Sequence, residues 1–60
     1  MNTQLLIKAL YAYRKSKKDT LRNNLRHDRP DQVDKNITQI LEIDRMIDQM
    51  ENKLITDNLN

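Results

Sequence analysis

The sequence predicts an all-α protein, a two-helix antiparallel hairpin, and three observations carry the prediction. Apolar residues recur at three- and four-residue intervals between Val33 and Leu54, the pattern of one helical face. The single proline, Pro30, is the only strong break in the chain. Glycine is absent, so the tight turns that a strand-rich chain of this length requires have few residues to build them.

The first helix is expected over about residues 3–27, with Asn2 or Thr3 placed to accept backbone N–H groups that a helix start leaves unpaired. Its apolar residues lie toward its two ends: Leu6, Ile7, Leu10 and Tyr13 first, Leu21 and Leu25 last. Between them runs Arg14-Lys15-Ser16-Lys17-Lys18-Asp19-Thr20. Helical spacing carries Arg14 and Lys17 onto the line through Ile7, Leu10, Leu21 and Leu25, with Lys18 at its flank. The apolar stripe therefore has a basic interruption, whose aliphatic stems can cover apolar surface while their charges reach water.

His27-Asp28-Arg29-Pro30-Asp31 ends one helix and starts the next, because proline disfavours a helical residue before it and has no N–H to donate. Asp28 is the expected N-cap of the second helix, with Pro30 and Asp31 suited to its first turn.

The second helix, expected over about 29–57, repeats every seven residues. Val33, Ile40, Ile47 and Leu54 occupy one seam position; Asn36, Ile43, Met50 and Asp57 occupy the other. Ile37, Leu41, Met46 and Ile55 widen the apolar surface beyond what one neighbouring helix covers. The expected core and oligomer seam is thus Leu6, Ile7, Leu10, Leu21 and Leu25 with Val33, Ile37, Ile40, Ile43, Ile47, Met50 and Leu54.

Charge is split between the halves. Residues 1–30 carry eight basic and two acidic side chains, net +6, and residues 31–60 carry three basic and seven acidic ones, net −4. Folding back at the proline brings the basic interruption level with residues 43–48, where Asp44 and Asp48 can answer Arg14 and Lys18. Exposed pairs of this kind contribute only about 0.2–1 kcal/mol each, so they select a geometry more than they stabilise it.

Sixty residues form one small domain, of a size that buries only about 60% of the surface its unfolded chain exposes. With no cysteine and one histidine, neither disulfides nor a typical structural zinc site can supply the deficit. Self-association is the remaining route, and a homodimeric four-helix bundle is the expected assembly.

No residue set names a reaction. His27 stands alone beside the turn, and Glu42, Asp44, Asp48 and Glu51 have the pattern of a solvated face or of ion-pair partners. The chain is expected to be no enzyme and to use no cofactor or metal. Leu5-Leu6-Ile7, broken by Lys8, falls far short of a membrane span, and no signal-peptide pattern follows Met1; a soluble cytoplasmic protein with no membrane partner is expected. Asn36-Ile37-Thr38 matches a glycosylation acceptor by chance. Seven asparagines and no glycine fit an A+T-rich bacterial or phage gene.

Thr38-Gln39-Ile40-Leu41-Glu42 partially resembles the Ser-Gln-Glu-Leu-Asp signature on the second helix of small helical-hairpin phosphatases that act on sporulation response regulators. Glutamine and leucine match in place, threonine and glutamate are conservative replacements, and Ile40 stands where the signature has glutamate. The resemblance covers five residues, and no activity is carried over from it. In shape the chain also resembles the dimeric helical-hairpin RNA-binding regulator of colicin plasmids, without a shared motif.

What remains is binding. The leading expectation is a small regulatory or inhibitory protein that pairs with itself and acts on another protein, with Tyr11 and Tyr13 beside Arg14 or Arg22 as exposed anchors, Tyr13 being equally suited to close the core. The alternative partner is RNA or DNA. Lys15, Lys18, Arg22 and Arg26 recur along one side of the first helix, where they could track phosphates.

Overall fold

The computed structural model describes residues 2–59, with side chains through residue 57; Met1 and Asn60 of the expected single domain lie outside the described residues. Helix α1 spans Thr3–Arg26 and helix α2 spans Pro30–Leu59. They pack antiparallel into a rod of 49 × 15 × 14 Å, and no strand occurs among the described residues.

Asn2 caps α1. Its backbone is extended, and its side-chain oxygen accepts from the N–H groups of Gln4 at 2.9 Å and Leu5 at 3.4 Å, satisfying two donors of the first turn. At the other end Asp28 departs from expectation. Its φ of 53° is left-handed, and it closes α1 rather than opening α2. Its N–H reaches Leu25 C=O at 3.3 Å, and the next N–H, from Arg29, reaches Asn24 C=O at 3.0 Å, so two terminal carbonyls of α1 are satisfied. One residue cannot hold this left-handed geometry and also the extended geometry of an N-cap. The first turn of α2 instead follows Arg29, whose carbonyl accepts from Val33 N–H at 3.0 Å.

The core is narrow. Among the described residues Ile40, Ile43 and Ile47, all from α2, are the buried apolar ones, and Ile47 is only 2% exposed. Leu6, Ile7, Leu10, Leu21, Val33, Met50 and Leu54 are half-buried around them. Arg14 and Lys17 are also half-buried, so basic stems line the same inner row of α1.

Two residues expected in the seam lie outside it in the hairpin: Leu25 is 60% exposed and Ile37 44%. Each directly follows an asparagine that takes the inward position, and one residue further along a helix is a rotation of about 100°. Those asparagines, Asn24 and Asn36, are 6% and 5% exposed. Asn24 Nδ2 donates to Asn36 Oδ1 at 2.6 Å, and Asn36 Nδ2 reaches Gln39 Oε1 at 3.5 Å. A paired amide near the turn therefore replaces an apolar layer, and every described buried side-chain polar atom has a partner.

Candidate interaction surface

The seam divides the hairpin into two long faces. On the first, the seven-residue spacing that turns Leu21 and Ile40 inward brings out Tyr11, Lys18, Arg22 and Leu25 from α1, and Ile37, Leu41, Asp44, Asp48, Glu51 and Ile55 from α2.

Near the turn this face holds an open groove of about 300 Å³, where Leu21, Leu25, Ile37 and Leu41 form an apolar floor and Lys18 and Arg22 form a basic edge. Leu41 is 60% exposed there. Toward the other end a smaller recess of about 220 Å³ lies among Ile7, Leu54 and Ile55. Isolated apolar side chains on a surface are ordinary, but a cluster rimmed by charge marks a contact surface.

Between the two apolar ends the face is polar and internally braced. Arg14 Nη1 lies 2.7 Å from Asp44 Oδ1, and the Tyr11 hydroxyl donates to Glu51 Oε1 at 2.9 Å. The Arg14 guanidinium also stands over the Tyr11 ring, 4.6 Å from its centroid. The hydrogen bond from Arg14 to Asp44 raises the guanidinium pKa. The Tyr11 phenol is raised as well, first by its hydrogen bond to Glu51, then by partial desolvation and the negative charge of Glu51. These four side chains tie α1 to α2 near mid-length.

The opposite face is different. Tyr13 sits half-exposed with Leu10, Gln39, Glu42 and Met46 around a groove of about 330 Å³, and Lys17 Nζ lies 5.4 Å from the ring centroid. Tyr11 and Tyr13, two residues apart on one helix, thus point to opposite sides of the seam, and the two tyrosines expected together do not share a patch.

The remaining basic residues of the sequence reading, Lys15, Lys18, Arg22 and Arg26, are exposed along α1. Arg22 approaches Asp19 at 3.9 Å, a loose surface contact. Asp48, expected to answer Lys18, makes no ion pair among the described residues. His27 is exposed on the turn, and no group of three or more potential metal-ligating side chains gathers among the described residues. Ile40, at the glutamate position of the five-residue signature, is in the core, and Gln39 is held by the buried amide pair.

The buried amide pair and the Tyr11–Glu51 contact were not anticipated from sequence. Asn24 lies between Leu21 and Leu25 and reads as a surface residue; only its inward partner, twelve residues on, distinguishes it. No described helix is long and apolar enough to cross a membrane. Comparison with protein-family models, curated proteins and solved structures finds no match for this chain.

Proposed function

We propose that this chain is a small non-enzymatic regulatory or inhibitory protein that pairs with itself as a four-helix bundle and acts by binding another protein. One observation carries the proposal: three isoleucines complete the buried apolar core, while Leu25, Ile37, Leu41 and Ile55 stay open on one face rimmed by both charges. A hairpin that buries so little gains most by covering that face. Self-association covers that face, and the opposite face, with exposed Tyr13 as its anchor, meets the second partner.

Sedimentation equilibrium across a wide concentration range tests the first half; a cooperatively folded monomer at all concentrations refutes it. Affinity capture from the native cell tests the second, with Tyr13→Ala expected to lose the captured protein while retaining helicity. Capture that is indifferent to Tyr13→Ala refutes the assigned anchor.

A second reading is favoured by the exposed row Lys15, Lys18, Arg22 and Arg26, whose described ion pairing is limited to the loose Asp19–Arg22 contact. This row would bind RNA or DNA through phosphates. Electrophoretic shifts at low salt decide between the readings. Binding that weakens steeply with salt and is lost in Lys15→Glu with Arg22→Glu supports the nucleic-acid reading, and no shift at low ionic strength eliminates it.

A further inference from the structure

We propose that two copies pair with the two-fold axis running along the rod, so that both turns lie at one end and α1 of each copy packs against α2 of the other. This arrangement rests on the self-association proposed above and specifies its geometry.

Three cross-helix contacts fix which residues stand level in the hairpin: Asn24 with Asn36, Arg14 with Asp44, and Tyr11 with Glu51. On the open face, from the turn outward, α1 offers Leu25 and Arg22, then Lys18 and Lys15, then Lys8 toward its start. Over the same levels α2 offers Ile37 and Leu41, then Asp44 and Asp48, then Glu51 and Ile55. At mid-length one helix is basic where the other is acidic, and near the turn both carry apolar side chains, with Arg22 beside Leu25 on α1.

A second copy can cover this face in two ways that keep two-fold symmetry. With the axis along the rod, α1 meets the second copy's α2 at the same level. Leu25 then faces Ile37, Lys15 and Lys18 face Asp44 and Asp48, and Lys8 faces Glu51. The two apolar grooves close on each other at the turn end.

With the axis across the rod, each helix meets its own copy running the other way. Lys15 then stands against Lys15 and Asp44 against Asp44, while Ile37 and Leu41 fall opposite Glu51 and Asp48. Like charges placed together and apolar groups left against carboxylates both disfavour this second arrangement. Asp48, Lys15 and Lys18 make no ion pair within the hairpin among the described residues, so the first arrangement gives them partners without breaking an internal contact.

The chain has no cysteine, and His27 is exposed on the turn, so His27→Cys carrying a nitroxide reports the distance between the two turns of a dimer. Pulsed dipolar spectroscopy is expected to find that distance within about 25 Å, a span of two to three interhelical spacings. A dimer whose turn-to-turn distance approaches the 49 Å length of the rod overturns the arrangement and leaves self-association standing. A monomer at every concentration overturns both.

Charge exchange supplies an independent reading on the unlabelled chain. Lys15→Glu is expected to weaken dimerisation about 3–10-fold, and adding Asp48→Lys is expected to restore it. Tighter pairing in Lys15→Glu alone, the result of relieving a Lys15–Lys15 clash, overturns the proposal. Circular dichroism of each variant, with Lys15 and Asp48 both exposed in the hairpin, separates lost pairing from lost folding.

Discussion

The inner rows of α1 and α2 obey the same seven-residue spacing and are filled in opposite ways. In α2 the row is Ile40, Ile43 and Ile47, all buried; in α1 the corresponding levels hold only half-buried side chains, Lys17 and Arg14 between Leu21 and Leu10, with buried Asn24 beyond them. One helix supplies the fully buried apolar residues, and the other supplies half-buried leucines, basic stems and the polar groups that index the pair. Apolar packing is tolerant of sliding, because an isoleucine row resembles itself one heptad along. The amide pair near the turn and the Arg14–Asp44 pair at mid-length each suit a single alignment. Burial from α2 and alignment from α1 are therefore separable by substitution.

The most damaging change removes burial. Ile47→Asp places a carboxylate where only 2% of the residue is exposed, and it is expected to cost about 4 kcal/mol or more and abolish the helical circular dichroism signal at room temperature. Lys17→Leu, across the seam on α1, is expected to change stability by less than about 1 kcal/mol, because an aliphatic stem is exchanged for an aliphatic side chain. Equal losses from the two substitutions would show that the two inner rows contribute alike.

Next in size is the amide pair. Asn24→Leu strands the Asn36 side chain in the core and is expected to cost about 1–3 kcal/mol in chemical denaturation. Replacing both, Asn24→Leu with Asn36→Leu, is expected to recover or exceed the original stability, since no buried polar group is left unpaired. If the pair fixes register, the doubly substituted chain should also show broadened or duplicated amide resonances. Sharp single resonances would assign register to Arg14 and Asp44 instead.

Much of the architecture was legible because it depends on periodicity. Apolar recurrence from Val33 to Leu54 and the lone break at Pro30 led to two packed helices, and the fold-back placed Arg14 level with Asp44. Position within the seam was less legible. Leu21 and Leu25 are four apart and read as one stripe, yet Asn24 takes the inward place, because a hydrogen bond to Asn36 makes an amide acceptable there and Leu25 turns outward. Asp28 was misplaced for a related reason: aspartate serves both N-caps and left-handed turns, and only the backbone conformation distinguishes them. The apolar excess at Ile37, Leu41, Met46 and Ile55 was a signal, but the structure splits it: Met46 lies with Tyr13 on the opposite face, and the other three share the open one.

The end of α1 offers a smaller test of what that helix contributes. Asp28 holds a left-handed backbone that glycine adopts without steric cost, so Asp28→Gly is expected to stabilise the hairpin by about 0.5–1 kcal/mol. For a domain of this size that corresponds to a rise of about 2–8 °C in Tm. Asp28→Ala is expected to lower Tm, because a Cβ remains while the polar side chain that eases the left-handed conformation is gone. A fall with both substitutions would mean that the Asp28 carboxylate itself, rather than the backbone geometry, sustains the turn.

The smallest expected effect concerns the contact where α1 reaches α2 with a tyrosine. The hydrogen bond to Glu51, with partial desolvation and the negative charge of Glu51, holds the Tyr11 proton above the ordinary phenol value of 10.0, while Arg14 acts in the opposite sense. A pKa raised on folding means that the protonated phenol is favoured in the hairpin. Its contribution to stability is fully present below pH 10.0 and disappears as pH rises through the raised value. In a Tyr13→Phe background, which leaves Tyr11 as the only tyrosine, tyrosinate absorbance should titrate above pH 10.0. Glu51→Gln should move the midpoint down by removing the carboxylate acceptor, and Arg14→Ala should move it up by removing the nearby cation. The two shifts must have opposite signs if both side chains act on the phenol directly; shifts of the same sign would mean that the substitutions loosen the hairpin and expose Tyr11, and the bracing assigned to this part of the face would then fail.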